Sequence, residues 1–411
     1  MNRPLFILLA CVFLIFVGFG ITLPVLPFYT ERLALAEGTS EAVAAIHIAF
    51  LTSIYPLMQF LFAPLWGRWS DRFGRKPLLL VGITGFALTQ ALFGISTGLW
   101  MLYGARAIGG LLAAATLPAV AAYVVDMTKE TERARGMALQ GTAVSLGVVV
   151  GPALGGLLAR NGLSFVMSYG GFSIDRFSIP FLAAAGLGVL TLFAAAVLVP
   201  ESLLSSPEPS SLGREAARIF WLGTPRSPSR LLVLAFAAQF GLAVFETTFA
   251  LHAQNMLGYG AFQVGLAFMI CGLVMSVFQI AAVSYLSKRV NEMHQIAVGL
   301  GLMGTSLGLL VLVRRTPVVM ATVGTLALGM SLISPNLAAL VSKNASAHSG
   351  AALGEQSASN SLGQVTGTLL GGFLFAWAMR LDYALTGAML VGFGVFAGLN
   401  KWPQGVFRAK R

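Results

Sequence analysis

Charge is what this sequence has least of. Of its 411 residues only 10% are Asp, Glu, Lys or Arg, while 57% are hydrophobic. An average soluble domain is about 25% charged. So little charge cannot cover the outside of a soluble fold of this length, which excludes a soluble enzyme and a disordered chain. Cysteine is nearly absent too. Cys11 and Cys271 both lie in apolar runs, which excludes a disulfide scaffold and a cysteine metal site. His47, His252, His294 and His348 are scattered and form no metal set. Nothing fits G-x-x-x-x-G-K-[ST], so no ATP-binding loop is present and no cofactor is expected. The short alternating segments of a membrane β-barrel are missing as well.

What is present is a series of long apolar runs. They lie at 5–29, 44–66, 77–97, 99–124, 135–159 and 179–199, then at 231–254, 262–286, 294–313, 317–341, 354–379 and 382–400. A spanning helix needs about 20 such residues. The expected fold is therefore an all-α membrane protein with twelve transmembrane helices. The first run is too long for a signal peptide and is read as a span. The one long polar stretch, 200–230, reads as a linker between an N-terminal half, 1–199, and a C-terminal half, 231–411.

The net charge of +11 follows from topology rather than from nucleic-acid binding. With both termini in the cytoplasm, nineteen of the 26 basic residues fall on the cytoplasmic side, six outside and one, Arg106, within a span. An internal repeat supports two pseudo-symmetric six-helix halves. SLGVVVGPALGGLLA at 145–159 and SLGQVTGTLLGGFLF at 361–375 share nine of fifteen residues at an offset of 216. Repeats of this kind build transporters that hold substrate near the midplane.

Four motifs carry mechanism. The loop Gly67-Arg68-Trp69-Ser70-Asp71-Arg72-Phe73-Gly74-Arg75-Lys76-Pro77 packs charges and two glycines into one membrane edge. Its basic residues can anchor to lipid phosphates or pair with acids. Gly147, Gly151 and Gly155, with Gly156 and Pro152 beside them, form a small-residue groove for close helix packing. Arg106 sits inside the fourth span, where an unpaired charge is costly. Glu246 is the one acid well inside a span, and Gln239 lies one heptad earlier on nearly the same face. A carboxyl in an apolar helix that faces a cavity can take up and release a proton, or meet a cationic substrate. Tyr55, Gln59, Gln90, Tyr123, Gln140, Gln279 and Asn336 are further candidates for cavity polar groups.

The loop resembles the signature loop of the major facilitator superfamily, with Trp69 in place of a usual leucine. The fifth-span glycines with Pro152, and Leu102 to Gly110 around Arg106, resemble motifs of its drug:proton antiporter branch. Gly18 to Pro27 is similar to the first span of tetracycline and multidrug exporters, except that Ile15 stands where tetracycline pumps carry an aspartate. The resemblance implies proton-coupled efflux of a small lipophilic or amphipathic compound by a monomer in a bacterial plasma membrane, without ATP. It implies a latch in which Asp71 holds the eleventh span near Gly354 and Arg75 pairs with Asp126. It also implies that Arg106 takes part in proton handling. Import of a metabolite and lipid flipping on the same fold stay open at this point.

Overall fold

This computed structural model describes residues 3–128, 133–160, 167–169, 172–174, 176–202, 229–284, 290–344 and 349–399. Of the expected linker at 200–230, residues 203–228 lie outside the described residues. The first half holds α1 (Arg3–Thr22), α2 (Leu26–Ala36), α3 (Glu41–Phe73), α4 (Arg75–Gly94), α5 (Leu99–Ala113), α6 (Thr116–Met127), α7 (Arg133–Leu158) and α8 (Ser178–Leu198). The second holds α9 (Ser229–Leu257), α10 (Ala261–Ser284), α11 (Glu292–Leu310), α12 (Thr316–Asn344), α13 (Ser349–Trp377) and α14 (Leu381–Leu399). A short antiparallel hairpin, β1 (Met167–Tyr169) and β2 (Phe172–Ile174), precedes α8.

Two expected spans are each built from two helices. The first breaks after Thr22 and restarts at Leu26, where Pro27 suits the opening turn of α2. The fourth breaks at Ala114 and Ala115, between α5 and α6. Among the described residues eleven helical segments are long and apolar enough to cross a membrane. The expected eleventh span is not one of them. Its helix α13 has 29 residues, but Gln356, Ser357, Ser359, Asn360, Ser361 and Gln364 make its first half polar. That helix nevertheless packs along α9 and α3 in the body of the bundle, so the twelve-span arrangement stands.

The packing repeats between halves. α1 lies along α7 as α9 lies along α13, and α4 lies on α8 as α11 lies on α14. The halves meet where α3 packs on α13 and α7 on α10. Outward faces are apolar: Val189, Leu190, Phe193 and Val197 form an exposed stripe on α8, as a lipid-facing helix requires.

The repeated glycines explain the α1–α7 contact. Gly147, Gly151 and Gly155 all face α1, where their backbones meet those of Phe13, Val17 and Ile21. A Cβ at Gly155 would overlap the Ile21 carbonyl. Gly155→Leu is therefore expected to cost about 1–3 kcal/mol or more through overpacking. Gly186→Leu, at a position with nothing within 4 Å of a Cβ, is the control. Thermal unfolding of the two variants in detergent checks the difference.

Candidate functional site

α9 is the most enclosed of the spanning helices, with 72% of its apolar window buried. Ala243, Val244, Phe245, Thr247 and Thr248 are all buried, yet Glu246 and Gln239 keep partial exposure. Glu246 forms no hydrogen bond or ion pair with the described residues, and Cys271 of α10 is beside it. Gln239 and Glu246, one heptad apart, thus keep partial exposure on a helix that is otherwise largely buried.

Arg106 lies in the other half. Its guanidinium sits 5.4 Å from the Tyr55 ring centre and 5.2 Å from that of Phe93, and Nε has no hydrogen-bond partner. The rings supply the cation with π-faces in place of a carboxylate. Phe19 packs on Tyr55 at 5.6 Å. Arg106 and Glu246 are not paired with each other. Three of the other polar candidates serve packing. Gln90 bonds Thr22 and the Gly18 carbonyl, tying α4 to α1. Asn336 bonds Gln295 at 3.0 Å, tying α12 to α11. The Tyr123 hydroxyl donates to the Pro200 carbonyl at 3.0 Å. Each finds a partner inside its own half, so none is left for the space between the halves.

At the end of the bundle where α3 meets α4, the signature loop forms a network. Arg75 Nε pairs with Asp126 Oδ2 at 3.0 Å, as expected from the motif. Its guanidinium also bonds Ser70 Oγ at 3.1 Å, and Ser202 Oγ donates to the same Asp126 oxygen at 3.1 Å. Glu201 accepts from the backbone N–H groups of Arg75 and Lys76 at 2.9 and 3.2 Å. A carboxylate there satisfies the open amides at the start of α4 and complements the helix dipole. Gly74 makes this possible, because its φ of +101° and missing Cβ let the Glu201 carboxylate approach. Arg72 lies over the Phe73 ring at 5.3 Å. The backbones of Gly67 and Asp71 are helical, but their side-chain surroundings, and with them the latch expected of Asp71, lie outside the described residues. A Cβ at Gly354 would meet nothing within 4 Å.

The opposite end is closed between the halves. Gly156 meets Ala261 and Phe262, Gly265 meets the Pro152 carbonyl, and Gly372 meets Ala45 and Ala49. Phe50 and Phe373 pack edge to face at 5.7 Å. The span-five motif therefore divides its work: Gly147, Gly151 and Gly155 hold α1, while Pro152 and Gly156 face the second half.

The chain matches the Major Facilitator Superfamily over residues 8–354. That match covers most of its length and includes the loop, the fourth-span arginine and the α7 glycines. The chain belongs to this superfamily. It is 29% identical to multidrug resistance protein 2 of Bacillus subtilis (strain 168) over 395 residues, covering 95% of this chain and 93% of that protein. It is 31% identical to the class D tetracycline resistance protein of Salmonella ordonez over 377 residues, covering 92% and 90%. The fold is shared with the human organic anion transporter MFSD10 (TETRAN) at TM-score 0.67 and 20% identity, covering 96% of this chain and 99% of that one. A peptide transporter POT, solved with sulfate, matches at TM-score 0.75 and 17% identity over 97% and 94%. The protein is thus a membrane transporter of the superfamily whose relatives include multidrug and tetracycline resistance proteins.

Within this superfamily member the second half repeats the Arg75–Asp126 pair with the charges exchanged. Glu292, at the start of α11, pairs with Lys343 near the end of α12. Those positions both lie 217 residues beyond Arg75 and Asp126, within one residue of the offset of the internal repeat. Sequence reasoning missed Glu201 and Ser202, which stand at the mouth of a polar linker where acids are common. It also missed Asp382, which stands in the first turn of α14 and is nevertheless fully buried.

Glu31 was missed as well. It lies on α2, past the end of the first span, is 8% exposed, and hydrogen-bonds Gln254 of α9 across the closed end. Burial pushes its carboxyl above the ordinary carboxylate range, the Gln254 bond works against this, and the Glu41 charge adds to it. The closed arrangement thus holds its proton more tightly than a solvated carboxylate does. Its preference over an open one is greatest in acid, declines as pH rises from 4.5 through the raised value, and is flat above. Spin-label distances between α2 and the end of α9 are expected to lengthen with rising pH in the wild type. In Glu31→Gln they are expected to stay constant.

Proposed function

We propose that this transporter exports a small lipophilic or amphipathic compound in exchange for protons, by alternating access. The observation that carries the reading is Glu246, a partly exposed carboxyl with no hydrogen-bond or ion-pair partner among the described residues, on a largely buried spanning helix. A group so placed changes charge as its surroundings change, and so can couple a proton to a conformational equilibrium. The names of the multidrug and tetracycline resistance relatives support efflux as the direction.

Both termini are placed in the cytoplasm, following the nineteen basic residues on that side. The closed end is then the outer one, and the space holding Glu246 and Gln239 is reached from the cytoplasm. Substrate enters there, between apolar walls such as Phe19 and the Tyr55 ring, with Arg106 holding a positive charge opposite. Rocking of residues 1–199 against residues 231–400 opens the outer end, and a proton arriving at Glu246 biases the return. The Arg75–Asp126 pair with Glu201 ties α4, α6 and the segment after α8 together, so that the first half moves as one body.

Purified protein in liposomes tests the reading. Lipophilic cations, tetracycline and neutral drugs are added while internal pH is followed. Substrate-evoked proton movement opposite to substrate flux is expected for at least one of them. Substrate and protons moving together would instead make the protein a symporter.

A further inference from the structure

The back of α9 carries a second set of polar groups that the cavity does not use. Thr248 is two residues beyond Glu246 and His252 six beyond it, which at 3.6 residues per turn places them about 200° and 240° around the helix. This face packs against the start of α14 and the end of α11. Asp382 is 0% exposed there, has no ion pair, and neither carboxyl oxygen has a well-formed hydrogen bond. The Tyr383 hydroxyl, His252 Nδ1 and Ser306 Oγ are buried and unpartnered too.

Asp382, Tyr383, His252 and Thr248 are neighbours. Thr248 Oγ1 lies beside both the Asp382 carboxyl and the Tyr383 hydroxyl. The His252 ring centre is 5.1 Å from that of Tyr383, and His252 Nε2 is 3.2 Å from the Leu310 carbonyl oxygen. The charged groups around them are Arg314, before α12, and Arg380, before α14, both at the outer end beside His252. No second carboxylate faces the set from α9, α11 or α14 among the described residues.

The hydrogen-bond directions fix which form of Asp382 fits. The Thr248 hydroxyl donates to the Val244 carbonyl at 2.9 Å, so toward Asp382 it offers only lone pairs. An ionised carboxylate would face that oxygen while buried and without a cation in contact, which is costly. A protonated carboxyl instead donates to it.

We propose that Asp382, with Tyr383 and His252 around it, is a second proton-binding site of this transporter, loaded from the outer side and separate from Glu246. His252 stands between the carboxyl and the outer surface, two residues before the Gln254 contact that closes this end. Opening that contact admits water to its free nitrogen. The step moves one proton and no electrons. Hydronium outside gives its proton, by way of His252, to the Asp382 carboxylate, and the same proton leaves when the site next loses it to water. The coupling role rests on the proton-exchange reading above; the occupancy of Asp382 does not.

Infrared spectroscopy of the full-length protein in lipid tests occupancy. A protonated-carboxyl band that disappears reversibly as pH is raised, and that is missing in Asp382→Asn, is expected. Should that variant not fold, wild type grown with isotope-labelled aspartate identifies the same band. Transport tests the role. Asp382→Asn is expected to lower steady-state substrate accumulation about tenfold per unit of pH gradient, the worth of one coupled proton. Gradient-free substrate exchange is expected to stay near wild type, and Asp382→Glu to restore accumulation. A band unchanged at every pH, absence of any such band, or wild-type accumulation in Asp382→Asn would overturn the proposal. Glu246→Gln is run in parallel. Should it alone keep wild-type coupling, the Glu246 assignment fails, and the Asp382 band still decides this one.

Discussion

Glu246→Gln is expected to remove one proton per substrate from the substrate-evoked proton movement in liposomes while leaving substrate binding within a few-fold of wild type. The glutamine keeps the shape and hydrogen-bonding reach of the carboxyl but has no proton to exchange. Glu246 makes no hydrogen bond or ion pair with the described residues, so its replacement strands no buried partner. The fold should survive, and thermal stability should change by about 0.5 kcal/mol or less, as for a substitution away from buried networks. Uphill accumulation should fall by the share that Glu246 supplies, and downhill flux should persist. Each coupled proton supplies about 1.4 kcal/mol per pH unit, and the variant loses all of what Glu246 supplies. Proton movement at the wild-type rate in Glu246→Gln would remove the residue from the coupling mechanism.

The second large effect is expected at the Arg75–Asp126 network. Arg75→Ala and Asp126→Ala should each slow transport at least tenfold, and the double variant should be little worse than either one. The pair is largely sheltered, with side chains 11% and 24% exposed, and it shares partners with Ser70 and Ser202. Members of one such network couple by about 0.5–3 kcal/mol. Strict additivity across the double-mutant cycle would mean that the pair is incidental. Glu201 acts through a different part of the same junction, the backbone at the start of α4. Its loss should lower stability more than it alters substrate affinity, which separates its role from that of Arg75.

Much of this was legible in the sequence because membrane spans have a simple grammar. Length and apolar content locate helices, the placement of Lys and Arg orients them, and glycines four apart mark where backbones touch. That Gly147, Gly151 and Gly155 pack closely on another helix could be read from spacing alone, but that this helix is α1 could not. The Arg75–Asp126 pair could not, because the residues are 51 apart and only the resemblance of the loop joins them. Glu201 escaped because its partners are backbone amides 125 and 126 residues away, and an acid beside a polar linker looks like ordinary solvated charge. Asp382 escaped for a related reason. A residue at the edge of an apolar run reads as interfacial, whereas α9 and α11 cover it completely. Gln90, Tyr123 and Asn336 were polar residues in apolar helices and so looked like cavity groups. Their hydrogen bonds go to neighbouring helices of the same half instead. The polar first half of α13 shows the converse: hydropathy undervalues a helix that is spared much contact with lipid by its neighbours α3 and α9.

The central claim is exchange of substrate for protons, and the equilibrium gradient tests it most directly. Wild-type protein in liposomes is given a labelled substrate and a series of imposed pH differences, with membrane potential clamped. The account predicts that the steady-state substrate ratio rises with the proton gradient, opposite in direction to it, by about tenfold per pH unit for each proton exchanged. A substrate ratio that stays at one whatever the pH difference would contradict it.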